Sequence, residues 1–112
     1  MGRSDQDRVL DVLEAGAAIA KHLQRGPLSD GLVFDAVRVR LIEIGEAVKD
    51  VSPDLLNQQQ SIPWRQVAAM RDQLAHRDFD TSHAIVAQTV GPDLDELLAA
   101  TRSLLAALDT QG

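Results

Sequence analysis

The chain has 112 residues, a formal net charge of −6 and 45 % apolar residues, the size and balance of one small globular domain. It has no cysteine, which excludes a disulfide framework and a thiolate metal site, and its acidity disfavours non-specific binding to nucleic acid phosphates. Phe34, Trp64 and Phe79 are the whole aromatic complement, so the core must be built from Leu, Val, Ile and Ala, which favours helices over sheet. The apolar runs are too short to span a bilayer and no signal peptide opens the chain, so a soluble, cytoplasmic protein is expected.

The stretch "SDQDRVLDVLEAGAAIAKHLQRGP" predicts a first helix. Ser4 and Asp7 stand at capping-box spacing, Val9, Leu10, Leu13 and Ala17 recur at helical intervals, and Arg25-Gly26-Pro27 stops the run. A second helix is expected from about Asp30 to Val51, with Val37, Leu41, Ile44 and Val48 in its apolar stripe. Gly45 sits in the middle of that stripe at a cost of about 1 kcal/mol against alanine. A glycine held there points to the close approach of another backbone. "SPDLLNQQQ" predicts a short helix with Ser52 as cap and Pro53 in the first position, then a glutamine loop.

Pro63 opens the next helix, which should run to about His76. "RDFDTS" breaks the pattern, and Thr81 or Ser82 is expected to cap a last helix. "GPD" at 91–93 should kink or split that helix. Residues 1–112 thus read as a single all-α domain, an antiparallel helical bundle of four main helices plus a short one. Its long helices suit a homodimer.

"MRDQLAHRDF" at 70–79 concentrates the chemistry. Asp72 and His76 are four residues apart and share a helix face. Arg71 and Asp78 are seven apart and would align if the helix ran that far. Arg71 and His76, five apart, lie about 140° from each other around the axis, so one helix focuses them poorly. A two-fold axis beside the helix would instead line one groove with two arginines and two histidines.

Such a set can cleave RNA without a metal. Histidine takes or gives the protons of the 2′-hydroxyl and the leaving 5′-oxygen, and arginine clamps the phosphate with its planar fork. Asp72 could orient the His76 imidazole. The plain reading of the same residues is a charged helix end that complements the helix dipole. His22 and His83 lack such company and are read as surface histidines. Neither a repeated carboxylate–histidine pattern nor a glycine-rich phosphate loop is present, so no metal or other cofactor is expected.

"IPWRQVAAMRDQLAH" followed by Phe79, together with "AVRVRLIEIGEAVK" on the second helix, resembles the HepT-like branch of the HEPN-domain proteins. The resemblance covers roughly residues 8–105. It implies an all-α homodimer acting as the toxin of a type VII-like toxin–antitoxin module. That toxin is a metal-independent RNA endonuclease with its groove across the dimer. The implied partner is an MNT-type nucleotidyltransferase antitoxin.

The family motif is an arginine, four residues, a histidine, one residue and a tyrosine. Arg71 and His76 match its first two positions, Asp72 takes the polar position after the arginine, and Glu46 matches a family glutamate near the dimer axis. Asp78 stands where the family has the tyrosine that the partner modifies with AMP. That departure leaves three readings: a natural variant silenced by another route, a weakened enzyme, or an engineered substitution. The resemblance also leaves an alternative function, a non-catalytic, antitoxin-like binding partner of an MNT nucleotidyltransferase.

Overall fold

In the computed structural model, which describes residues 3–75 and 78–111, Ser4 and Asp7 close the expected capping box. The Asp7 amide donates to Ser4 Oγ at 3.1 Å and the Ser4 amide to Asp7 Oδ2 at 3.2 Å. Helix α1 follows over Asp5–Arg25, α2 over Gly31–Lys49, α3 over Pro53–Leu56, α4 over Trp64–Ala75, α5 over Phe79–Thr89 and α6 over Pro92–Gln111. A single 3-10 turn, Asn57–Gln59, occupies most of the glutamine run expected as loop. The described residues contain no strand.

The ends of the helices follow local chemistry, in places by a different residue than expected. Asp30 caps α2, its carboxylate accepting from the amides of Leu32 and Val33 at 2.9 and 3.3 Å. Ser52 occupies the cap position of α3, but it makes no capping bond there. Its hydroxyl and amide both donate to Asp5, at 2.7 and 3.0 Å, and so tie the start of α3 to the start of α1. Pro63 precedes α4 as its cap rather than forming its first residue, its carbonyl accepting from the Val67 amide. Thr81 and Ser82 lie inside α5, whose cap is Asp78. "GPD" does split the last stretch: α5 ends at Thr89, Gly91 turns the chain with φ 122°, and Pro92 begins α6. The expected four main helices are therefore five, with α3 as the short one.

Helix α2 is the axis of the bundle. It packs against α1 on one side and α4 on the other, while α1 also packs against α6. Its Val37, Leu41 and Ile44 are wholly buried, together with Val12 and Ile19 of α1, Leu74 of α4, Val86 of α5 and Leu104 of α6. Each such aliphatic side chain contributes about 1.5–3 kcal/mol by leaving water. Gly45 lies against Arg71, and Arg38 reaches the Leu74 carbonyl, so α2 and α4 run antiparallel. No helix of the described residues is long and apolar enough to cross a membrane.

Candidate active site

The site is built on a close backbone contact between α2 and α4. A Cβ placed on Gly45 would lie 3.0 Å from the Arg71 backbone nitrogen and 3.0 Å from the Val67 carbonyl oxygen. Gly45 therefore lets two helix backbones touch, as its place in the stripe predicted. The contact sets the next residue of α2, Glu46, beside the Arg71 side chain. Arg71 Nε donates to Glu46 Oε2 at 2.7 Å and Arg71 Nη1 to Asp72 Oδ1 at 3.0 Å. Asp72 first, then Glu46, holds the guanidinium charge more firmly than in free arginine and raises its pKa.

All three side chains are well exposed, Arg71 at 46 %, Glu46 at 56 % and Asp72 at 77 %. Water screens both ion pairs at that exposure, so an incoming anion can compete for the guanidinium. Arg71 has five donor hydrogens in a fixed plane, of which these two bonds take two. The arrangement is an oriented cation with donors to spare at the surface.

Arg38 joins this end of α4. Its Nη1 donates to the Leu74 carbonyl at 2.7 Å, one of the carbonyls that a helix end leaves unpaired. Arg38 is not among the residues that the sequence led one to expect at the site. The signal was its spacing, seven residues before Gly45 and so on the same face of α2.

His76, the expected acid or base, lies outside the described residues, as does Arg77. Asp72, expected to orient His76, turns one oxygen to Arg71. Asp78 does not continue α4 into line with Arg71. Its backbone is extended, with φ −68° and ψ 105°, and its carboxylate caps α5. The carboxylate accepts from the Thr81 hydroxyl at 2.6 Å and from the amides of Asp80 and Thr81 at 3.1 and 3.4 Å. Those bonds, the Thr81 hydroxyl foremost, hold the Asp78 carboxyl below the ordinary aspartate range. The anions at Arg71 are thus Glu46 and Asp72.

The two remaining histidines are half-buried rather than surface groups. His22 Nε2 accepts from Arg40 Nε at 3.4 Å, and Arg40 pairs with Glu43 at 2.6 Å. His83 stacks on Phe34, with ring centroids 5.3 Å apart and planes 16° from parallel. A groove of about 440 Å³ between α4, α5 and α6 is lined by Met70, Gln73, Ile85 and Leu97, and it opens on a different face of α4 from Arg71.

The family model described as "Ribonuclease HepT-like" matches residues 9–104. "Probable ribonuclease HepT" of Thermococcus cleftensis is 33 % identical over 101 residues, covering 87 % of this chain and 92 % of that protein. "Putative RNase TTE0752" of Caldanaerobacter subterraneus subsp. tengcongensis is 34 % identical over 68 residues, covering 60 % of this chain and 61 % of that protein. The chain thus spans less than two thirds of that second relative's length. No solved structure gives a significant match. With the matched region running from α1 through most of α6 and holding Glu46, Arg71 and the α2–α4 contact between them, the chain belongs to the HepT-like ribonuclease family.

Proposed function

We propose that the chain, as one domain over residues 1–112, is a metal-independent RNA endonuclease and the toxin of a toxin–antitoxin pair. It works as a homodimer in the cytoplasm, with its groove across the two-fold axis, and an MNT-type nucleotidyltransferase holds it in check. The observation that carries this reading is Arg71, exposed and oriented by Glu46 and Asp72, five residues before His76.

A scissile phosphate would take over the donors that the two carboxylates now hold. The guanidinium would then offset the charge that builds on the phosphorane. His76 of one protomer would remove the 2′-hydroxyl proton, and the 2′-oxygen would attack phosphorus. His76 of the other protomer would protonate the departing 5′-oxygen, leaving a 2′,3′-cyclic phosphate and a 5′-hydroxyl. Two protomers supply two His76 side chains, one for each proton transfer, where one protomer supplies only one.

A second reading, a non-catalytic partner of the nucleotidyltransferase, draws on Asp78 in the tyrosine position. An aspartate already engaged as a helix cap offers no phenol for AMP, and a non-catalytic partner needs none.

The test is RNA cleavage in EDTA by the parent, Arg71→Ala and His76→Ala. The expected loss is about 10²- to 10⁴-fold for His76→Ala, the range for a positioned acid or base, with a comparable loss for Arg71→Ala. Undiminished cleavage by His76→Ala would end the assignment. A parent that binds a nucleotidyltransferase tightly but never cuts would favour the second reading.

A further inference from the structure

Two of the three aromatic side chains of the protein converge on His83 at one place, next to the segment that carries His76. Phe34 of α2 is buried and forms the floor. His83 stacks on it, and Phe79 packs against both rings with centroids 5.7 and 5.6 Å away. Phe79 is nevertheless 63 % exposed. An exposed phenylalanine is ordinarily mobile, but this one is the first residue of α5 and is fixed from two sides. The Asp78 cap pins the helix start beneath it, and the two rings behind it set its plane.

The position along α2 gives this ring a use. Arg38 is one turn beyond Phe34, and Gly45, which carries the Arg71 contact, lies about 16 Å from Phe34 along the helix axis. The aromatic cluster at Phe34, Arg38 and the Arg71 contact at Gly45 therefore follow one another along α2, although Phe79 itself belongs to α5 and Arg71 to α4. Unpaired bases stack on aromatic faces while cations track the phosphates, which is how single-stranded RNA is held. Asp78 and Asp80 flank the ring on α5 and repel phosphate, so the strand must pass on the Arg38 side.

We propose that Phe79, backed by His83 and Phe34, is a stacking platform for an unpaired nucleobase of single-stranded RNA whose phosphates reach the Arg71 site farther along α2. The proposal rests on the ribonuclease reading for its substrate, but binding tests it apart from cleavage.

The probe is a 2′-O-methyl oligoribonucleotide carrying 2-aminopurine, which resists cleavage by 2′-hydroxyl attack and loses fluorescence when its base stacks. It is titrated into the parent, Phe79→Ala, Phe79→Leu and Phe79→Trp, with light scattering to follow the oligomeric state and cleavage of unmodified RNA measured alongside. The expected result is quenching by the parent and Phe79→Trp, and affinity about tenfold or more weaker for Phe79→Ala and Phe79→Leu, as loss of one stacked base implies.

Parent-like binding and quenching by Phe79→Leu or Phe79→Ala would overturn the platform, while cleavage by the parent would leave the ribonuclease reading standing. Conversely, a parent that binds and quenches the probe yet cuts no RNA would sink the ribonuclease and keep the platform. Loss of binding only in step with loss of the dimer would assign Phe79 to the contact between copies and overturn the platform. A parent that neither binds nor cuts overturns both.

Discussion

Arg71 and Asp78 show how far a residue's role depends on where its helix ends. The arginine was legible in the sequence because it stands five residues before His76 in a charged stretch that matches the family motif, whereas its bond to Glu46 was not. Asp78 was not legible as a cap. "RDFDTS" offers Asp78, Asp80, Thr81 and Ser82, all good N-caps, and local pattern does not rank them. The choice falls to tertiary packing, since starting α5 at Phe79 sets that ring and His83 against Phe34.

The cap has a pH signature. The folded state binds the Asp78 proton less tightly than the unfolded chain, so its contribution is complete above the ordinary aspartate value of about 3.9. It is lost as pH falls through the lower folded value. Asp78→Asn keeps a capping acceptor without the titration. Its melting temperature should match the parent near neutrality and fall less than the parent's below about pH 4. Thermal melts of the two proteins across pH would show it, and parallel losses would remove Asp78 from the acid response. Asp78→Tyr, which installs the family tyrosine, should melt a few degrees lower at neutral pH because the acceptor is gone.

Helices α2 and α4 owe their geometry to one missing side chain, and that makes an element-scale test. In Gly45→Ala the new methyl would meet two backbone atoms at 3.0 Å, neither of which can move without shifting a helix. Overpacking of this kind costs about 1–3 kcal/mol, which outweighs the helix-propensity gain of about 1 kcal/mol. Gly16→Ala makes the opposite case. Its methyl meets one side chain, both Leu98 methyls at 2.5 and 2.7 Å and Cγ at 3.2 Å, and that half-buried leucine can shift without moving a helix backbone. Denaturant unfolding should therefore find Gly45→Ala destabilised and Gly16→Ala near the parent. The reverse order would mean that the α2–α4 contact yields more readily than backbone contact allows.

Period and caps in the sequence give α1 and α2 almost to the residue, because long amphipathic runs and a capping box speak locally. The same signals misplace the start of α5 and miss the Ser52–Asp5 tie. Each of those depends on a residue far away in the chain or on where an earlier element stops.

At the scale of the whole molecule, a net charge of −6 has to be reconciled with an anionic substrate. Attraction must be local, and among the described residues the cations at the end of α4 are Arg38 and Arg71. Binding of single-stranded RNA releases counterions in proportion to the phosphates neutralised, with a salt slope of about −0.7 per contact. One protomer offering these two arginines would give a slope of about −1.4, and a groove shared by two protomers about −2.8. The proposed homodimer thus predicts the steeper dependence of log binding constant on log salt. Arg38→Ala, which removes one cation from each protomer, should flatten that slope by about 1.4. A parent slope near −1.4 with Arg38→Ala removing only half of it would mean that one protomer binds RNA alone. The two-protomer division of proton transfer would then have to be abandoned, since the strand would never meet the second His76.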